Sequence, residues 1–256
     1  MKSIHRPLRA AGLAAVLGLA SPGAMALDLG AMTDAERSAF GAAVRSYLLE
    51  NPEVLMEVIA ALEARQMQDQ AEADLAMLRE YRDVLENDPD SWTGGNPEGD
   101  ITVVEFVDYR CGYCRRAHSE VEALVAGDGN IRLVMKEFPI LGEDSVRSAR
   151  FAVATLQAHG ADAYKAVHDA LITLRGPADE AALDRIAAEA GLDGPALRAA
   201  MDGPEVTRVL RANQELAQRL QINGTPTFVI HETMVRGYVP LDGMQSIVAQ
   251  QRERLD

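Results

Sequence analysis

Ile101-Thr102-Val103-Val104-Glu105-Phe106-Val107-Asp108-Tyr109-Arg110-Cys111-Gly112-Tyr113-Cys114 is the stretch whose reading decides the fold. Ile101–Val107 is a β-branched and aromatic run, the composition of a strand. Residues 111–126 come next as a helix carrying Val121, Leu124 and Val125. The only two cysteines of the 256 residues therefore sit where a strand hands over to a helix N-terminus. Unpaired backbone N–H groups at such a terminus favour a thiolate over a thiol. Cys111 then reads as the attacking and leaving thiol, and Cys114, one turn further in, as the resolving one. Gly112 and Tyr113 surround Cys111 and set how stable its thiolate is.

A structural staple and a zinc knuckle are the other uses of a cysteine pair. A bridge across a two-residue gap restricts little of the unfolded chain. Zinc wants four ligands, and the sequence holds no second Cys pair and no close His pair, so no metal is expected. Reversible disulfide exchange is the reading that remains. The disulfide itself carries two electrons, so no bound cofactor is expected either.

Working outward, Ile131–Phe138 reads as a second strand, ended by Pro139. From Glu143 to about Gln221 the chain is alanine-rich and helical, broken at Gly160, Gly176-Pro177, Gly191, Gly194-Pro195 and Gly203-Pro204 into four or five helices. Strands return at Thr227–Ile230 and Val235–Val239, and a last helix runs from Leu241 to about Arg254. Upstream, residues 88–99 read as a linker dense in turn formers, with Trp92 docking on the next domain. Residues 33–87 read as helical, capped by Thr33 or Asp34 and interrupted at Asn51-Pro52. Val54, Leu55, Val58, Ile59 and Leu62 line one face, succeeded by a narrow stripe of Leu75, Leu78, Tyr81 and Leu85. So thin a stripe needs a partner surface, either the chain's own catalytic domain or further copies of itself. The whole is an α/β pattern: a thioredoxin fold over 100–256 with a helical insertion in the crossover at about 143–221, preceded by an α-helical extension over 27–87.

Lys2, Arg6 and Arg9, the apolar run Ala10–Ala20 and the small-x-small Ala24-Met25-Ala26 read as a signal peptide cut after about Ala26. The run is shorter than the roughly 20 residues a membrane anchor needs. Net charge is −14, and −17 without residues 1–26, which argues against nucleic acid or anionic lipid as partner.

Late in the chain stands Gly224-Thr225-Pro226-Thr227-Phe228. Together with Val103-Val104-Glu105-Phe106 leading into Cys111-Gly112-Tyr113-Cys114, and the long helical insertion, it makes residues 92–254 resemble the thioredoxin superfamily, in particular its DsbA-like exported branch. That resemblance implies a cis Thr225–Pro226 bond beside Cys111, where the Thr225 backbone pairs with a substrate strand. Taken alone, the dipeptide also suits a trans turn before an edge strand. Glu105 points with Val103 and Val107 by strand alternation. A carboxyl of raised pKa there takes and returns the proton of Cys114, and the family carries an acid at this position; the alternative is a surface Glu at a strand end. Asp108 and Lys136 lie near enough in sequence to feel the site, and His118 reads as a helix-surface histidine.

Gly112-Tyr113 stands where the best-known periplasmic oxidase has Pro-His, so a strongly oxidising potential does not follow from the resemblance. Residues 46–66 resemble the amino-terminal extension of ScsC-like proteins, some of which oligomerise through it and shuffle disulfides. The resemblance thus implies a periplasmic thiol–disulfide oxidoreductase acting on unfolded or partly folded exported proteins. A membrane redox partner would recycle it, and it would work as a homo-oligomer, with isomerisation or reduction favoured over oxidation. The rival readings are a Cu(I)-handling protein, with the ion between the two thiolates, and a non-catalytic client-binding module.

Overall fold

A computed structural model describes residues 31–255; the signal-peptide reading of residues 1–26 lies outside them. The chain divides into two units after Ala61. In the first, α1 spans Asp34–Glu50. A reciprocal cap starts it: the Thr33 hydroxyl accepts from the Glu36 N–H at 3.3 Å, and the Glu36 carboxylate accepts from the Thr33 N–H at 2.8 Å. Asn51-Pro52 breaks the chain as expected, and α2 (Glu53–Glu80) begins directly after it. Phe40, Tyr47, Leu55, Val58 and Ile59 of this unit are exposed.

The second unit holds the end of α2, α3 (Arg82–Glu86), β1 (Trp92–Gly95), β2 (Ile101–Val107), α4 (Gly112–Asp128) and β3 (Ile131–Glu137). Five helices come next: α5 (Glu143–His159), α6 (Ala161–Thr173), α7 (Glu180–Glu189), α8 (Gly194–Ala200) and α9 (Pro204–Arg219). The chain closes with β4 (Thr227–Ile230), β5 (Thr233–Arg236) and α10 (Leu241–Arg252). The sheet order is β1-β3-β2-β4-β5. β2 and β3 are parallel, joined by α4, while β1, β4 and β5 add antiparallel neighbours. The five helices of the insertion occupy the connection from β3 to β4.

Every residue of β2 is buried, because both faces of the sheet are covered. On one face Val103, Val107, Val121, Leu124 and Phe228 form a cluster that includes both cysteines. Val104, Phe106, Val134, Leu216 and Val229 form the cluster on the other face. Leu78 of α2 and Leu85 of α3 belong to this second cluster at 3% and 1% exposure. Each such buried leucine contributes about 1.5–3 kcal/mol. The end of the narrow stripe is therefore covered by the core of the second unit itself.

Residues 88–99 are not only a linker. Trp92–Gly95 forms β1, paired with β3. The reason is tertiary: the Trp92 indole N–H donates to the Ala161 carbonyl at 3.0 Å, and the ring stacks on Tyr164 at 5.6 Å. Trp92 lies across Gly94, where a Cβ would meet the ring at 2.0 Å. A composition of turn formers is thus overridden by one anchored aromatic. The last strand also begins earlier than expected, at Thr233, and stops before Gly237, whose φ of +100° ends the pairing.

Candidate active site

Cys111 is the N-cap of α4. Its own N–H donates to the Asp108 carbonyl at 3.0 Å, and its Sγ accepts from the Cys114 N–H at 3.4 Å. No acidic side chain sits in the first turn of α4 to oppose the helix dipole. The Cys111 thiol lies 3.1 Å from the Thr225 carbonyl oxygen, to which it donates when protonated. The Thr225–Pro226 bond is cis. The two segments are 114 residues apart in sequence, and the fold brings them together at the Cys111 sulfur.

The two sulfurs are driven in opposite directions. A hydrogen bond from the Cys114 thiol holds the Cys111 pKa down, to about 5. Burial works against this, while Thr225 and the Cys114 and Tyr113 N–H groups add to it. Cys114 is fully buried, and the same hydrogen bond, together with burial and the nearby Glu105 charge, pushes its thiol far above the usual range. The reduced pair therefore holds one thiolate and one thiol.

Glu105 is 3% exposed on the face carrying Val103 and Val107, which rules out a surface role. Burial raises its pKa to about 8, with the neighbouring charges of Glu137, Glu122 and Cys111 adding to the effect. Asp108 is also buried and acts as a clamp. One carboxylate oxygen accepts from the Arg110 N–H at 2.8 Å; the other accepts from the Ile140 and Leu141 N–H groups at 2.8 and 3.0 Å. It ties the turn before Cys111 to the loop after β3. Lys136 does not feel the site. Register places it opposite Phe106, on the other sheet face from Glu105. Its ammonium is spent there on the Val84 carbonyl at 2.9 Å and the Asp88 carboxylate at 2.7 Å. His118 is not a free surface histidine either: its ring faces Asp169 at 3.4 Å and is 5.4 Å from the His168 ring.

Tyr113 is 62% exposed beside Cys111 and stacks on Tyr238 at 6.3 Å. Arg116 lies over the Tyr238 ring at 4.4 Å, and the Tyr238 hydroxyl donates to Glu120. A Cβ at Gly112 would meet nothing within 4 Å, so that glycine leaves open space beside Cys111 without being required by packing. Gln221, Asn223, Gly224, Thr225, Pro226 and Arg236 line an adjoining cleft.

Sequence reasoning missed the ledge of Tyr238, Arg116 and Glu120. It also missed a buried group around Glu137, whose Oε1 accepts from the Tyr109 and Tyr164 hydroxyls at 2.7 and 2.6 Å. Among the described residues its Oε2 is buried without a partner, and burial raises its pKa to about 8. The available signal was an acid ending an otherwise apolar buried strand.

The profile of the DSBA-like thioredoxin domain matches residues 102–249, and that of the copper resistance protein ScsC N-terminal domain matches residues 36–68. A thioredoxin-like oxidoreductase from Silicibacter pomeroyi is 48% identical, with a TM-score of 0.63, covering 67% of this chain and 98% of its own. ScsC of Proteus mirabilis is 27% identical, with a TM-score of 0.64 over 88% of this chain and 99% of its own. Among curated proteins, the Na(+)/H(+) antiporter NhaA 1 of Salinispora arenicola is 28% identical over 163 residues, 63% of this chain. The chain spans about a quarter of the length of the curated relatives it matches.

Proposed function

The chain belongs to the family of DSBA-like thioredoxin domains, and on that premise we propose that it exchanges disulfides with exported client proteins through Cys111 and Cys114. The observation that carries this reading is the Cys111 sulfur at the head of α4, facing the Thr225 carbonyl of the cis Thr225–Pro226 bond. In the oxidising direction a client thiolate attacks Cys111 Sγ. The Cys111–Cys114 bond breaks, and Cys114 leaves as a thiolate that takes the proton of neutral Glu105. A second client thiolate then attacks the client sulfur of the mixed disulfide, forming the client disulfide and releasing Cys111 as a thiolate. In the reducing direction the Cys111 thiolate attacks a client disulfide and releases one client thiolate; Glu105 as carboxylate then accepts the Cys114 proton while Cys114 attacks Cys111, re-forming the Cys111–Cys114 bond and releasing the second client thiolate. Electrons move between the client and the protein's own cysteine pair. Thr225 and Pro226 hold the client backbone, with Gly112 and Tyr113 flanking the reacting sulfur.

Export to the periplasm and recycling by a membrane redox partner are part of this proposal, supported by the basic, apolar and small-residue pattern of residues 1–26. Among the described residues no helix is long and apolar enough to cross a membrane. The exposed apolar side chains of α1 and the start of α2 favour a homo-oligomer, and with it isomerisation or reduction. Replacement Cys111→Ser is expected to abolish both insulin reduction and refolding of scrambled ribonuclease; retention of either activity refutes the proposed chemistry. Sedimentation of residues 27–256 against residues 62–256, which keep the whole second unit, tests the oligomer, and a monomer in both cases removes it.

A further inference from the structure

Away from the cysteines, α4 and α6 bring together side chains that ligate metals. His118 lies one turn beyond Cys114 on α4, and His168 and Asp169 are neighbours on α6. One ligand atom from each lies within 4.8 Å of the other two. His118 Nε2 stands 3.4 Å from Asp169 Oδ1. Metal–ligand bonds of about 2.0–2.1 Å in a tetrahedron set ligand atoms about 3.3–3.4 Å apart, so this pair already spans one edge. No other pair of these atoms needs to close by more than about 1.4 Å.

His168 is presented as a ligand. It is 3% exposed, and its Nδ1 lies 2.9 Å from the Tyr109 hydroxyl. That hydroxyl has a single proton, which goes to Glu137 Oε1 at 2.7 Å. With that proton on Glu137, the Tyr109 oxygen is free to accept from His168 Nδ1, the tautomer that leaves Nε2 its lone pair. Among the described residues no hydrogen bond reaches that Nε2. A ring held through one N–H with its other nitrogen unpartnered is the arrangement of a ligating histidine.

The carboxylate is not idle. Lys165 Nζ lies 2.8 and 2.6 Å from the two Asp169 oxygens and 3.3 Å from Glu122 Oε1. An ammonium thus balances this acidic spot, and an incoming ion must displace it from Asp169, leaving Glu122 as its partner.

We propose that His118, His168 and Asp169 form a site for a divalent first-row transition ion, Zn²⁺ foremost, separate from the cysteine pair, with Lys165 as the built-in competing cation. Imidazole and carboxylate donors without sulfur select Zn²⁺ over Cu(I), and two imidazoles select it over Mg²⁺ or Ca²⁺. The ion would pin α4 to α6 one turn from Cys114.

The test uses the oxidised protein, stripped with chelator, so that the closed disulfide keeps both sulfurs from binding. Calorimetry with ZnCl₂ and visible absorption with Co²⁺ are expected to show one equivalent bound. His118→Ala and Asp169→Asn, both at partly exposed positions, should each weaken it at least tenfold, with metal-free melting curves confirming that the variants fold. Lys165→Met should bind more tightly. Absence of a saturable equivalent, or equal affinity in His118→Ala and Asp169→Asn, overturns the site. Equal or weaker binding by Lys165→Met overturns the competing role of the lysine.

Discussion

The asymmetry of the two sulfurs makes the stability of the reduced protein depend on pH through Cys111. Its thiol has an ordinary pKa of 9.0 and is held at about 5 in the fold. A depressed pKa contributes stability that is full above the unfolded value and is lost as pH falls through the folded one. At pH 7 the unfolded thiol is two units below its pKa and the folded one two units above, a linkage of about 2–3 kcal/mol. At pH 4 both are protonated and the contribution vanishes. Glu105 and Glu137, raised to about 8, have the opposite sign, since their cost to the fold grows as pH rises from 4.5. They are common to wild type and Cys111→Ala, so the difference between the two proteins removes them to first order. Urea unfolding of both reduced proteins between pH 4 and 7, monitored by far-UV circular dichroism, should show the wild-type advantage growing by about 2–3 kcal/mol, at about 1.4 kcal/mol per unit above pH 5. Thiolate absorbance at 240 nm should rise with a midpoint near 5. A difference that stays flat with pH, or a midpoint near that of a free thiol, would refute the thiolate stabilisation argued from the head of α4.

Glu105→Gln should stabilise the protein at pH 7 by about 3 kcal/mol and leave it unchanged at pH 4, because a carboxyl raised from 4.5 to about 8 penalises the fold only above its unfolded pKa. The same variant should slow resolution of a mixed disulfide by about 10²-fold, read by quenched-flow alkylation; a more stable fold with an unchanged rate would remove Glu105 from the proton transfer. Asp108→Ala leaves three backbone N–H groups without their acceptor and should cost about 2–4 kcal/mol in urea unfolding, with a fall in exchange rate. Lys136→Met strands the Asp88 carboxylate and should cost about 3 kcal/mol while leaving the 240 nm midpoint in place; a moved midpoint would restore Lys136 to the site.

Much of the fold was legible because local rules and tertiary demands agree along most of the chain. Ile101–Val107, Thr227–Ile230 and the helix starts at Thr33 and Pro52 are signalled by residue type and spacing alone, and the structure places elements there. Agreement failed at Trp92–Gly95, where glycines signal a turn but an indole anchored on Ala161 and Tyr164 draws the backbone onto the sheet edge. His118 and Lys136 failed for a related reason. Sequence gives the face a side chain occupies only when the neighbouring elements are known, and the acid facing His118 comes from α6, 51 residues later.

From its residues alone, the chain determines a cysteine pair at the end of a buried strand, a helix beginning on the first of those cysteines, an acid inside the strand and a Thr-Pro before a late strand. These are local facts of composition and period, and the proposed exchange chemistry rests on them. Tertiary structure decides the rest: that the Thr225 carbonyl stands 3.1 Å from the Cys111 sulfur, that Asp108 clamps the loop after β3, and that Glu105 shares its interior with Glu137. Those relations join residues distant in sequence through burial and hydrogen bonding. They set the protonation of each sulfur, because the free energy of a charge depends on what surrounds it in space rather than on its neighbours along the chain.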